Sequence, residues 1–289
     1  MNKDYLVKSL AFNSEIRIYV ARTTNLVNEA NKIANAYPTG AAAIGRTLTA
    51  TAMMGCMLKG NEAVTVRING GGPIGLIVAD ANAFGKVRGY VANPRVHFQY
   101  ESGKLNVGMA VGTDGDLYVT KDLGLKDYFT GQVPLQTGEI GDDFTYYFTQ
   151  SEQTPSAVGL GVLINPDSEV TAAGGFIIQV MPNASEETIT ALEEALAGIK
   201  SVTEMITDGL TPEDIVAKLA GDDCKILETV PLVFECNCSK EKFIPGLISL
   251  GNDELADMVE KDGGAEAVCH FCMQRYHFSA VELEDLKKQ

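Results

Sequence analysis

Cys236-Asn237-Cys238 and, after thirty intervening residues, Cys269-His270-Phe271-Cys272 hold four of the six cysteines of this 289-residue chain. Two thiolate pairs, each closed by a tight turn, can supply the four soft ligands of a tetrahedral zinc site, the arrangement that closed structural sites favour. The CxxC half has ordinary zinc-knuckle spacing. The CxC half is less usual: one intervening residue gives a cramped chelate and, when oxidised, a small strained ring that is comparatively easy to reduce. That asymmetry points toward a redox-sensitive site.

Spacing is compatible with three readings. Four thiolates can simply staple a small domain through one zinc ion. A dithiol oxidoreductase is the second reading, but there CxxC opens a helix in a βαβ pattern, whereas this pair lies near the C-terminus. The third joins the first two: zinc keeps the thiolates reduced until an oxidant converts them to disulfides and ejects the metal. His270 is expected outside the ligand set, because four sulfurs already complete the tetrahedron. Cys56 falls in an apolar helical run and reads as a small buried hydrophobe, and Cys224 reads as a bystander thiol in an acidic loop.

The chain around these residues is long enough for two domains and for a sizeable core in at least one. Hydrophobic residues make up 45% of it, which marks a globular protein. A net charge of -15 argues against a nucleic-acid partner, since backbone binding depends on clustered Lys and Arg that displace counterions. No run approaches the length of a membrane span, and Met1-Asn2-Lys3-Asp4-Tyr5-Leu6 contains no extended apolar stretch, so a cytoplasmic location without a membrane partner is expected. In that reducing compartment, cysteines at these spacings favour metal binding or redox sensing over permanent disulfides.

The elements that must carry the cysteines follow from periodicity. Residues 5–23 predict two strands, Ile16, Ile18 and Val20 alternating with other residues after the turn signal Asn13-Ser14. Leu26, Ala30, Ile33 and Ala34 predict a helix over 25–37 that Pro38 ends. Thr39 is expected to cap a second helix to about residue 58, whose Met53, Met54 and Met57 fill core. Apolar runs at 64–68, 74–79, 87–91, 105–111, 117–120, 158–164 and 176–181, punctuated by Gly, Asn and Asp, predict a mainly antiparallel sheet, with a helix over 142–150. The expected class is α+β, with helices covering the sheet.

Two nucleotide-like motifs fail on context. Gly70-Gly71-Gly72-Pro73-Ile74-Gly75 satisfies GxGxxG, but another strand follows, so no helix N-terminus receives a pyrophosphate and a hairpin turn is expected. Residues 40–47 imitate a P-loop with Arg46 where Lys is required and no strand leading in. Asp142-Asp143 reads as favourable charge at a helix start. With three histidines and no nucleophile constellation, neither catalytic residues nor a nucleotide cofactor is expected.

Beyond Pro182 three short helices are predicted, over 185–197, 201–208 and 211–220, with the capping sequences Ser201-x-x-Glu204 and Thr211-Pro212-Glu213-Asp214. Ile189, Leu192, Leu196 and Ile199 form one apolar stripe, and Ile215, Val216 and Leu219 another, so the helices need a surface to pack on. Each is at or below the ~12 to 15 residues at which an isolated helix is marginal in water. Eleven acidic residues against three basic ones over 183–228 add self-repulsion, which makes the segment easy to melt.

Together these residues resemble the redox-regulated holdase chaperones of the 33-kilodalton heat-shock protein family, over the whole chain. The resemblance is carried by Ala21-Arg22-Thr23-Thr24, the run from Gly70 to Gly75, Thr130-Gly131-Gln132-Val133, Gly141-Asp142-Asp143-Phe144, Ala173-Gly174-Gly175-Phe176 and, most specifically, the two cysteine pairs. It implies an N-terminal α+β core (1–182), an acidic helical linker (183–230) and a C-terminal zinc-binding redox-switch domain (231–289). It implies one zinc per chain in the reduced form, held by Cys236, Cys238, Cys269 and Cys272. It also implies an ATP-independent chaperone that binds unfolding proteins and forms a homodimer when activated. On oxidation, pairing within each motif is expected, because Cys236 and Cys238, and Cys269 and Cys272, are already neighbours when the metal leaves. The alternative is a constitutive zinc-stapled protein-binding module whose cysteines never change state, with a thiol-disulfide oxidoreductase behind it.

Overall fold

Alternating apolar residues build β1 (Tyr5–Ala11) and β2 (Ile16–Arg22), joined through Phe12, Asn13 and Ser14, all at positive φ where the turn signal lies. The computed structural model describes residues 3–221 and 223–287, so Met1, Asn2, Asp222, Lys288 and Gln289, including the start of the N-terminal stretch read above, lie outside the described residues. The chain divides into two compact units, Met1–Glu235 and Cys236–Gln289.

In the first unit, helices α1 (Thr24–Ala34) and α2 (Pro38–Cys56) follow β2. Strands β3 (Ala63–Asn69), β4 (Ile77–Asn82) and β5 (Lys86–Val91) come next, then the short helix α3 (Val107–Val111) and strands β6 (Asp116–Asp122) and β7 (Phe129–Pro134). Helix α4 (Gly141–Gln150) leads into the hairpin of β8 (Ser156–Ile164) and β9 (Val170–Val180). Helices α5 (Glu186–Ala197), α6 (Val202–Thr207) and α7 (Pro212–Ala220) and strands β10 (Cys224–Pro231) and β11 (Val233–Phe234) complete it. The strands form two mainly antiparallel sheets, ordered β10-β1-β2-β9-β8 and β11-β5-β4-β3-β6-β7, which is the α+β class expected.

Seventeen of the nineteen residues of α2 are buried, so it is a core helix packed on every side rather than an amphipathic one. Its threonines are tolerated because Thr47, Thr49 and Thr51 donate their hydroxyls to the carbonyls of Ala43, Gly45 and Thr47, one turn back. Small residues let neighbours close in: a Cβ on Gly45 would sit 2.5 Å from Val27 Cγ1. Leu6, Tyr19 and Ala21 of the first sheet share this core with Val64, Val66, Ile77 and Ala79 of the second.

Because side chains alternate across a strand, the opposite face of the first sheet presents Val7, Ile18, Val20 and Ile178. Leu192 of α5, Val202, Met205 and Ile206 of α6, and Ile215, Val216 and Leu219 of α7 cover it. Glycine makes the fit close: a Cβ on Gly174 would come within 2.6 Å of Ile206 Cδ1. Ser185, Ser201 and Thr211 cap the three helices by accepting from the N–H groups of Thr188, Glu204 and Asp214. Two polar ties fasten the layer, Tyr5 donating its hydroxyl to Glu213 at 2.7 Å and Glu15 accepting from the N–H and hydroxyl of Ser185 at 2.9 and 3.0 Å.

Several local expectations are corrected. Residues 105–111 are not a strand, because the Asn106 side chain accepts from Met109 N–H and caps α3. The strand expected from 74 begins at Ile77, since the glycine-rich run forms the β3–β4 connection, with Gly71 and Gly75 at positive φ. Thr39 does not cap α2: Pro38 takes the first helical position and the Thr39 hydroxyl donates to Phe98 C=O. Helix α1 stops at Ala34, where Asn35 adopts the left-handed conformation that ends helices. Cys224 opens β10 rather than lying in a loop, and β10 pairs with β1 along its whole length. That edge strand is mostly exposed, so no alternation advertised it, and β7 was hidden in the same way, with only Gly131 and Val133 buried.

The second unit contains α8 (Ile244–Ile248), α9 (Asn252–Asp257), the antiparallel pair β12 (Gly264–Val268) and β13 (Arg275–Ser279), and α10 (Ala280–Leu286). Its buried apolar core among the described residues is Leu255, Phe278, Leu283 and Leu286, thin even for a small domain. No helix among the described residues is long and apolar enough to cross a membrane.

Two stability predictions follow from this packing. Asp143 does more than charge a helix start: fully buried, it accepts N–H groups from Gln136 at 2.7 Å, Thr137 at 3.1 Å and Ile140 at 2.9 Å, holding Ile140 at φ 74, a conformation costly for a β-branched residue. Asp143→Ala strands these donors and is expected to cost about 3 kcal/mol or more, measured by urea unfolding. Separately, hydrogen bonds from Ser201, Thr211 and Ser185 hold the carboxyls of Glu204, Asp214 and Glu15 below their usual values. The fold favours their ionised forms, so their contribution is present at neutral pH and is lost as pH falls below about 4 through the depressed values. Hydrogen exchange at falling pH is expected to show α5 to α7 loosening before α2.

Candidate metal centre

The second unit draws its cysteines from its first residues and from its middle. Cys236 and Cys238 open it outside any helix or strand, and Cys269 and Cys272 sit in the turn between β12 and β13. That turn is held by backbone bonds from Cys269 N–H to Gln274 C=O at 2.9 Å and from Met273 N–H to Cys269 C=O at 2.8 Å, with Met273 at φ 60. Strand pairing of β12 with β13 thus sets both sulfurs of the CxxC motif on one knuckle.

The four Sγ atoms lie within 4.8 Å of one another, with Cys236 to Cys269 at 3.7 Å and Cys238 to Cys272 at 3.3 Å. A tetrahedron of sulfurs about 2.3 Å from a central zinc has edges of about 3.8 Å, so the donor set fits a single soft ion. The sequence therefore named residues that the fold does bring together. His270 is exposed on the same turn and is not a member of the cluster. Cys56 is buried in α2, and burial pushes its thiol up to about 12, which makes it inert.

The electrostatics also favour a cation. Burial pushes the Cys238 thiol up, but hydrogen bonds with the Tyr276 hydroxyl and Cys272 outweigh it and leave Cys238 at about 7. Burial and the sharing of protons with Cys238 push Cys272 up to about 12, and burial raises Cys269 as well. Four thiols this close resist becoming four thiolates unless positive charge is placed among them.

Tyr276 is a site residue that spacing of the cysteines did not reveal. Its hydroxyl lies 3.2 Å from Cys238 Sγ and 3.1 Å from Cys238 C=O, and its ring packs on Phe243 at 5.3 Å between centroids. The available signal was the two-residue period of β13, which puts Tyr276 on the same face as buried Phe278. Lys242 steadies the other arm by donating to the Asn237 carbonyl.

Comparison with known proteins places this geometry in context. The chain matches the family described as Hsp33 protein over residues 4–279. It is 56% identical over 287 residues to the 33 kDa chaperonin of Bacillus velezensis, covering 99% of each chain. It is 58% identical over 287 residues to the 33 kDa chaperonin of Geobacillus kaustophilus, covering 99% of this chain and 98% of that one. The crystal structure of the 33 kDa chaperonin of Thermotoga maritima superposes with a TM-score of 0.92 at 36% identity, covering 99% of this chain and 98% of the other.

X-ray absorption on the reduced, zinc-loaded protein is expected to fit four sulfur ligands and no nitrogen. A fitted imidazole would bring His270 into the ligand set and overturn the all-sulfur assignment.

Proposed function

This chain belongs to the Hsp33 protein family, a chaperone family, and from that premise we propose that it is a redox-regulated, ATP-independent holdase of the cytoplasm that binds unfolding proteins under oxidative stress. The observation that carries this reading is the layer of α5 to α7, a set of short acidic helices lying over an apolar sheet face. The chain leaves that layer through β10 and β11. It is last tied to the second sheet by Glu235, whose N–H reaches Val87 C=O at 2.9 Å and whose carboxylate pairs with Lys86, one residue before Cys236. On this reading residues 1–182 are the permanent core, 183–230 the releasable linker and 231–289 the switch.

Zinc bound by Cys236, Cys238, Cys269 and Cys272 would keep the sulfurs as thiolates and cross-link a unit whose apolar core is four side chains. Oxidation consumes the donors. One thiolate takes an oxygen from peroxide and becomes a sulfenic acid, releasing hydroxide; a second thiolate displaces the sulfenic hydroxyl as another hydroxide and closes the disulfide. Two electrons leave each sulfur pair, and both peroxide oxygens end as water once protonated. We assign the pairs as Cys236 with Cys238 and Cys269 with Cys272, because one- and two-residue spacings keep those partners close after the site opens. The unit then loses its main support.

Unfolding next to Cys236 frays β11, which is two residues long, and then β10 beside it. The acidic helices beyond lose that anchor, and Val7, Ile18, Val20 and Ile178 become available to non-native proteins. The oxidised chain is expected to dimerise, and neither catalysis nor a nucleotide, nucleic-acid or membrane partner enters the scheme.

Hydrogen exchange with and without peroxide under mild heating, run beside zinc release and a client-aggregation assay, tests this. Oxidation is expected to loosen residues from 183 onward, to leave α2 and its sheets protected, and to switch on client protection that ATP does not alter. Equal protection of the client before and after oxidation, with unchanged exchange over 183–230, would mean that the metal is only a staple.

A further inference from the structure

Resting on the chaperone reading, we propose that the free edge of β8 holds an extended segment of an unfolded polypeptide by strand addition. Among the described residues β8 ends its sheet and pairs only with β9. Val180 N–H donates to Pro155 C=O, so these two face each other as a hydrogen-bonded pair. Alternation then turns the backbone groups of Ala157, Gly159, Gly161 and Leu163 toward β9. Those of Val158, Leu160 and Val162 point away from the sheet. Val158 agrees with this phase, since its N–H reaches Thr145 Oγ1 at 3.2 Å.

Leu160 and Val162 line a groove of about 1110 Å³ whose lining also draws on the stretches 97–105 and 199–204. Native edge strands are usually guarded by charge, proline or a covering element. β10 carries Lys225, Glu228 and Pro231, whereas β8 contains neither a charge nor a proline. Among the charged groups along the groove Arg46 pairs with Glu139, which also accepts from the Tyr100 hydroxyl, Lys200 pairs with Asp208 and Glu204 accepts from Ser201, while Lys104 adds one further cation. Alongside these side chains the groove offers the outward main chain of β8, bordered by Tyr100, Leu163 and Ile199.

Main-chain pairing is indifferent to sequence, and a glycine-interrupted strand specifies register weakly, which suits a partner defined only by being unfolded. Residues 199–204 belong to the linker, so its release also widens the groove.

The test uses the full chain oxidised by peroxide, with an unfolded, aggregation-prone model protein as client. Its addition is expected to slow hydrogen exchange at the amides of Leu160 and Val162. Val162→Pro removes an outward N–H while sparing the ladder to β9, and is expected to weaken client affinity about tenfold, whereas Val162→Thr, which keeps the N–H, changes it by no more than about twofold. Client binding without slowed exchange at Leu160 and Val162 overturns the proposal and leaves the chaperone reading standing. Protection of those amides that grows with protein concentration in the absence of client also overturns it, by giving the edge to a second copy. If Val162→Pro does not fold, exchange in the unaltered chain decides. Failure to protect a client in any redox form overturns the chaperone reading and this proposal together.

Discussion

A sheet that is apolar on both faces has to be covered twice, and that constraint organises the first unit. One face is covered by α2, buried almost end to end and shared with the second sheet. The other is covered by α5 to α7, whose helices are short, acidic and attached along one side of each. Both layers bury Leu, Ile and Val side chains, each contributing about 1.5–3 kcal/mol when fully buried. They differ in what opposes the burial. α2 is held from all sides, whereas the outer layer must offset its own chain entropy and charge repulsion with one face of contacts.

The second unit meets the opposite difficulty, having too little to bury. Four buried apolar side chains are a weak basis for a fold, and four sulfurs gathered within 4.8 Å are mutually repulsive if they ionise without a cation. Under the proposed function one soft ion would answer both difficulties, and oxidising the sulfurs to disulfides would remove the donors that hold it. Tyr276 joins the two arms, its hydroxyl meeting Cys238 while its ring lies against Phe243. In the proposed scheme redox chemistry acts on folding directly, because the donors would also be the cross-link.

Legibility followed burial and local chemistry. The caps at Ser201 and Thr211 and the stripes of α5 and α7 could be read because a cap acts over three residues and a stripe over two turns. β7 and β10 could not, since exposed edge strands owe their form to a neighbour distant in sequence. Residues 105–111 looked like a strand because so short an apolar run has no period of its own, and the Asn106 cap settled 107–111 as a helix.

Spacing, periodicity and composition were enough to name the four cysteines that the fold gathers, the α+β class and the short acidic helices between residues 183 and 220. Cysteine spacing and helical period are properties of a few consecutive residues, and need no fold to be read. Long-range packing was needed to show that the same sheet is covered from both sides, that Asp143 organises the turn before α4, and that Tyr276 stands beside Cys238. It alone showed that β8 lies at an edge, because strand order depends on which hydrogen-bonding partners meet across the chain and not on the composition of any one strand.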